Sequence, residues 1–372
     1  MKTYKYLFND MIKRQNISKA IDRAARLKKK RHYVKKVLGN KDKYIDRLIE
    51  MFEEHSYQPG NYKQRIIQDG SRKKRRIVEV PRFIYDQLVQ NCLIMQLEKV
   101  ILPHMYEHAH GSIKGRGQAQ TAACIKKWIR KDPKGTRYCL QMDIHHCYPS
   151  INQELLIEKY HQKIKDNDFN IENDKVIRAG FQGLAIGSPT SFWHLHFLLT
   201  PVDHWIVTLD GVKHYVRHAD DLIIFGSNKR KLHKVELAVI ERMEKEFHLE
   251  INHNHQVFPL EYAGKDGKKH GRPLDVCGLL FYRDRTVLRE TRMLGVTRKA
   301  RRIGKKEKPT IKDARQMVSQ MGWLDQSDTY DMYLEHVKPY VSKRKMRKMI
   351  SKYDRRRNGI QKGRELSGNT AG

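Results

Sequence analysis

Two adjacent aspartates, Asp220 and Asp221, stand in the middle of YVRHADDLIIFG, between arms that read as buried strand. Such a stretch folds most simply as a hairpin with residues 219–221 at its turn. A solvated pair of aspartates is ordinary in a turn. A second stretch, QMDIHHCYPSI, makes the pair less ordinary. There Asp143 ends another apolar strand, in which Tyr138, Leu140 and Met142 alternate with Cys139, Gln141 and Asp143. Paired strands lie only about 5 Å apart, so pairing of these two would gather three carboxylates in one small volume. Cations must then neutralise them. Two divalent metals about 4 Å apart, activating an attacking oxygen and stabilising a leaving phosphate, are the standard solution.

The rest of the chain suits such chemistry. Its 372 residues suffice for two or three packed subdomains. A net charge of +33, from 75 Lys+Arg against 42 Asp+Glu, points to a polyanionic partner, most simply nucleic acid. No apolar run is long enough to span a bilayer, and the N-terminal residues lack the apolar core of a signal peptide, so no membrane partner is expected. Five scattered cysteines without a C-x-x-C pair fit a reducing, cytoplasmic compartment, with the thiols as packing residues.

Spacing predicts basic helices over residues 1–60 and a hairpin over 65–80 turning at Asp69-Gly70. It predicts a helix over 82–101, a strand over 137–144, and a helix over 152–163 with Ser150 and Gln153 at capping-box spacing. Further helices are expected over 190–199, ahead of Pro201, and over 229–247. A hairpin turning at Arg283-Asp284 precedes a basic helical segment and a disordered tail. Helices and strands alternate without a parallel-sheet rhythm, so the fold class is α+β. His145-His146-Cys147 does not read as a zinc site, because adjacent strand residues point to opposite faces and no second ligand pair is suitably spaced.

Asp143 with Tyr148, GLAIGSPTSFW at 183–193, and Ala219-Asp220-Asp221 resemble, in order, the three central motifs of reverse transcriptases. KKRRIVEVPRF resembles their fingers, HGSIKGRGQAQTA the segment before the palm, and LEINHNHQ the fourth palm motif. VCGLLFYRDRTVLR resembles the primer grip. The nearest resemblance is to bacterial and phage enzymes of the diversity-generating retroelement type and their unclassified or defence-associated cousins. It implies a right-hand polymerase with fingers (61–136), an antiparallel palm (137–285, with a fingers insertion at 152–182) and a helical thumb (286–357). A basic helical region (1–60) would precede these, and a disordered tail (358–372) would follow.

The resemblance also implies roles. Asp143, Asp220 and Asp221 would be catalytic and, with the Ile144 carbonyl, hold two Mg²⁺ ions, Mn²⁺ being the alternative. Arg75 and Arg76, with Lys74 as an alternative, would clamp the triphosphate. Tyr148 would be the steric gate against a 2′-hydroxyl. Ile186, Gly187 and Ser191 would lie against the nucleotide and templating base. His255 is a candidate proton donor, with a surface loop position as the alternative. The expected partners are an RNA template, the RNA/DNA hybrid, dNTPs and a small accessory protein. The expected reaction is RNA-directed extension of a 3′-hydroxyl in a diversity-generating retroelement. The alternatives are a defence-associated enzyme, which copies a noncoding RNA or makes untemplated DNA, and a non-catalytic RNA-binding scaffold. The chain departs from the family pattern at His218, where tyrosine is usual, at Ile186, where glutamine is usual, at Phe192, and at His255, where lysine is common.

Overall fold

The computed structural model describes residues 3–69, 74–264 and 266–368, apart from the side chains of Asp69, Lys74 and 357–368. The chain divides into two compact units, residues 1–124 with 134–258, and residues 125–133 with 259–372.

In the first unit the basic N-terminal segment forms α1 (Leu7–Met11), α2 (Arg14–Ala25), α3 (His32–Gly39) and α4 (Lys41–Glu53). Ile17, Ala20, Ile21 and Ala24 of α2, and Ile45, Leu48 and Phe52 of α4, recur at helical spacing and are buried. A two-stranded ladder follows, β1 (Lys63–Asp69) with β2 (Lys74–Val80). Gly70, where the turn was expected, lies outside the described residues. The helix expected from Arg82 starts regularly only at α5 (Leu88–Ile101). Before it, Ile84 and Tyr85 leave helical geometry, Tyr85 at φ 66°. The cause is Asp86, a buried carboxylate that accepts from the Tyr57 hydroxyl and the Gly60 and Arg82 amides at 3.0–3.1 Å and so folds the entry into a tight turn.

The chain continues through β3 (Ala109–His110), α6 (Gln118–Lys131), β4 (Tyr138–Asp143), α7 (Cys147–Ser150), α8 (Gln153–Lys163), α9 (Asn167–Arg178), α10 (Ser191–Ile206), β5 (His214–His218), β6 (Asp221–Gly226), α11 (Lys229–Phe247) and β7 (Gln256–Pro259). The central sheet has the order β3-β5-β6-β4-β7. β6 pairs antiparallel with both β5 and β4, and β3 adds to β5 in parallel. Residues 222–226 of β6 are all buried, as befits a central strand, and α11 packs against β4 and β6.

Two expectations are corrected here. The helix cap is Asn152, whose side chain accepts from the Leu155 amide at 3.1 Å, while the Ser150 hydroxyl donates back to the His145 and His146 carbonyls. α10 does not stop before Pro201. Leu195, Leu198, Leu199, Val202 and Ile206 continue one buried face across the proline, and tertiary burial outweighs the lost N–H bond.

The second unit holds β8 (Tyr262–Ala263) paired with β9 (Lys269–His270), and the antiparallel sheet β10 (Leu274–Val276), β11 (Leu279–Phe281) and β12 (Thr286–Leu288). The Tyr282 amide donates to the Arg285 carbonyl at 2.8 Å, closing the hairpin at the expected turn. Helices α12 (Glu290–Gly304), α13 (Ile311–Leu324), α14 (Tyr330–His336) and α15 (Lys343–Gly368) follow. They share a core that includes Val296, Ala300, Ile303, Met317 and Val341. Thr310 and Asp313 form a reciprocal capping box on α13. α15 runs as helix through Gly368, where a disordered tail was expected from residue 358.

Candidate active site

The β5–β6 hairpin closes on two residues, Ala219 and Asp220, because His218 already pairs with Asp221. Asp221 therefore belongs to the strand and not to the turn. Ala219 takes a left-handed conformation, φ 56°, and both of its backbone groups are held. Its amide donates to the His110 carbonyl at 2.8 Å, and its carbonyl accepts from Arg217 Nη1 at 3.0 Å. The Asp220 carbonyl accepts from the Ile144 amide at 3.3 Å.

Across the sheet, Asp143 is the register partner of Asp221. Two carboxylates thus lie directly opposite each other at the end of a ladder, with Asp220 beside them. Burial pushes the Asp220 carboxyl above its ordinary pKa, and the Asp143 charge pushes the same way, while Arg76 and Arg217 oppose them. Asn252 donates from Nδ2 to Asp143 Oδ2 at 3.2 Å, and its amide bonds to the Asp143 carbonyl at 2.8 Å. The His145 amide bonds to the Glu250 carbonyl at 2.8 Å. The Ile144 carbonyl takes no part in these bonds. Oxygen donors with mutual repulsion between carboxylates fit a hard divalent cation such as Mg²⁺.

The turn is supported from below by a group that sequence reading missed. Arg217 is fully buried and grips Asp203 of α10 with two bonds, Nε to Oδ1 at 2.8 Å and Nη2 to Oδ2 at 2.6 Å. The Tyr215 hydroxyl donates to the same carboxylate at 2.7 Å. His196 joins through its Nδ1, 3.3 Å from Arg217 Nη2, and through Nε2, 3.0 Å from the Gly111 carbonyl. The available signal was an arginine inside an otherwise buried strand, which needs a buried acid somewhere.

Tyr148 lies half-buried on α7, five residues beyond Asp143. Its carbonyl accepts from the Leu184 amide at 2.8 Å, and its phenol pKa is raised by burial first and by Cys147 and Asp220 next. The loop before α10 docks on β2, since the Glu79 amide donates to the Ile186 carbonyl at 2.9 Å. Gly187 (φ +116°) is needed there, because a Cβ would meet Val78 Cγ1 at 2.7 Å and the Glu79 carbonyl at 2.8 Å. What closely approaches Gly187 in the structure is thus β2. Ser191 is buried, and its hydroxyl donates to the Ala185 carbonyl at 2.7 Å. It holds the loop's shape.

Arg75 and Arg76 are consecutive on β2 and so project to opposite sides of the strand. Arg76 is the one whose charge reaches Asp220. Lys74 begins the strand, with its side chain outside the described residues. His255 is engaged through Nδ1 with Glu236 of α11 at 2.7 Å, and it is Asn252 that touches Asp143. An open cleft of about 650 Å³, lined by residues that include Lys28, Arg31, Lys63, Arg65 and Arg82, reaches Gly187.

Residues 63–297 match the family model described as reverse transcriptase (RNA-dependent DNA polymerase). The group II intron-encoded protein LtrA of Lactococcus lactis subsp. cremoris is 27% identical over 143 residues, 38% of this chain and 23% of that protein. The putative COX1/OXI3 intron 1 protein of Saccharomyces cerevisiae is 28% identical over 133 residues, 32% of this chain and 15% of that protein. Both matches span less than a quarter of the relative's length. Among solved structures, apo telomerase from Candida Tropicalis superposes with a TM-score of 0.46 at 13% identity, covering 74% of this chain and 58% of that one. The family match takes in β1 through the first turns of α12, and with them every aspartate of the site, so this chain belongs to the reverse transcriptase family and its α+β architecture is a right-hand polymerase fold.

Proposed function

We propose that this chain is an RNA-directed DNA polymerase that extends a 3′-hydroxyl with dNTPs on an RNA template, using two Mg²⁺ ions held by Asp143, Asp220 and Asp221. The observation that carries the reading is the register pairing of Asp143 with Asp221 beside the clamped Asp220 turn. When bound, the metal ions lower the pKa of the attacking hydroxyl and neutralise charge on the triphosphate. Asn252 orients one Asp143 oxygen by donating to Oδ2. Arg76 supplies positive charge for phosphate oxygens from β2, and Arg75 is left to the strand's other side. The ring of Tyr148 stands beneath the sugar and excludes a 2′-hydroxyl by overlap. The basic cleft beside Gly187 supports an RNA partner gripped through its backbone.

The test is primer extension on a defined RNA with and without Mg²⁺, in wild type and Asp143→Asn. Metal-dependent synthesis that the variant loses supports the reading. Equal synthesis by both removes it, and RNA binding without synthesis by wild type leaves a scaffold.

We infer further that the enzyme serves a diversity-generating retroelement in the cytoplasm, together with a small accessory protein. Ile186 supports this: an apolar side chain, half-buried on a loop pinned to β2, has no polar group to hold a template base in register. Sequencing the cDNA tests it. Errors concentrated opposite template adenine and reduced by Ile186→Gln support the assignment, and uniform accuracy moves the defence-type reading ahead.

A further inference from the structure

Three side chains near the catalytic turn take no part in the aspartate site described above. His108 and His110 lie before and within β3, and Cys124 lies on α6. One nitrogen of each ring and the Cys124 Sγ all stand within 4.8 Å of one another, the one such grouping of three His, Cys, Asp or Glu ligand atoms among the described residues. Sγ is 3.6 Å from His108 Nδ1. In a tetrahedral zinc site, with Zn–S about 2.3 Å and Zn–N about 2.0–2.1 Å, a sulfur and a nitrogen stand about 3.5 Å apart. The same separation suits a thiol–imidazole hydrogen bond, so the other nitrogen of each ring carries more weight.

That nitrogen faces an oxygen in both rings. His108 Nε2 lies 3.4 Å from Glu107 Oε1, and His110 Nδ1 lies 3.0 Å from Thr121 Oγ1. The His110–Thr121 hydrogen bond is of the kind that fixes the tautomer and orientation of a ligating histidine, and the His108–Glu107 contact is a longer charge contact. His110 and Cys124 are buried, whereas His108 is partly exposed and leaves the cluster open to water on one side.

We propose that His108, His110 and Cys124 bind one zinc ion, with water as fourth ligand, pinning the two-residue strand β3 to α6. Two imidazoles and a thiolate suit a borderline-soft ion and disfavour Mg²⁺, so this site is chemically separate from the aspartates. The widest separation would contract by at most roughly 1.5 Å on binding. The function is positional, because the His110 carbonyl holds the Ala219 amide, and a pinned β3 holds the catalytic turn.

The test is the metal content of full-length protein by mass spectrometry after exhaustive dialysis, followed by Co²⁺ titration of the chelated protein. We expect one zinc per chain and a thiolate-to-cobalt absorption band. Both should be lost in Cys124→Ser and retained in Cys147→Ser. His108→Ala, at a partly exposed position, removes a ligand without emptying the core and should also lose the metal. Thr121→Ala should weaken binding about tenfold to a hundredfold. Zinc that survives both Cys124→Ser and His108→Ala, or wild type with neither zinc nor the cobalt band, would overturn the proposal.

Discussion

Arg217 and Asp203 form a doubly bonded ion pair with no solvent exposure on either side chain, and the same guanidinium caps the carbonyl of Ala219. Removing one member strands the other as a buried charge, which costs about 3–5 kcal/mol. Asp203→Asn should therefore lower the urea midpoint sharply and reduce primer extension beyond the loss of folded protein. Asp203→Asn combined with Arg217→Met should recover part of the stability but not the activity, since Ala219 would then lack its Arg217 donor. Additive losses of stability in the double variant would show that the two residues are not coupled.

Asp220→Asn should abolish extension, by about a thousandfold or more, equivalent to about 4 kcal/mol of transition-state stabilisation. Without metal the same variant should be more stable than wild type at neutral pH. Burial raises the folded-state pKa of Asp220. A carboxyl with a raised folded pKa costs stability above that pKa, and the cost vanishes below the unfolded value. A melting-temperature gain of roughly 2–4 °C, measured in chelator and fading on acidification, is the expected result. Destabilisation at neutral pH would contradict the electrostatic account.

Arg76→Gln should move the acid limb of the rate profile to higher pH and raise KM for dNTP. Arg76 opposes the upward push on Asp220, so its loss lifts that pKa further. Arg75→Gln, on the strand's other side, should leave the acid limb in place. The two pH–rate profiles, measured side by side, decide whether β2 contributes one arginine to the site or both.

Tyr148→Ala should admit ribonucleotides, relaxing sugar discrimination by roughly 10–200-fold, the range that a steric pocket commands. The ring sits beside Asp220 without being a metal ligand, so extension with dNTPs should persist. Incorporation of a matched ribo/deoxy nucleotide pair is the measurement, and unchanged selectivity would assign the gate to another side chain.

Elements whose own side chains decide their structure were legible in the sequence. β4 and β6 showed apolar arms ending at aspartates, and the expected bounds of α11 agree with the observed Lys229–Phe247. Pro201 misled because a local rule was given weight over the apolar spacing that continues to Ile206. β3 was invisible: two residues carry no periodicity, and they form a strand only because β5 offers an edge. Arg217 and Asp203 lie 14 residues apart, and His108 and Cys124 lie 16 apart. Pairings of that kind are set by how strands and helices come together in space, and spacing along the chain does not encode them. Asn252 gives no signal in the sequence, because its contact with Asp143 arises only where the bridge between Ile144 and Ile251 brings the two segments together.

Gly111 and Ala219 constrain each other as a pair. Gly111 sits at φ +122°, and a Cβ built there would stand 3.1 Å from the Ala219 amide nitrogen and 3.4 Å from its methyl. Substitutions at the two positions should therefore covary among functional variants. A library randomised at both sites and selected for DNA synthesis should return larger residues at 219 only with glycine retained at 111. The identity of the residue before the catalytic aspartates would then be set by a neighbour more than 100 positions earlier in the chain.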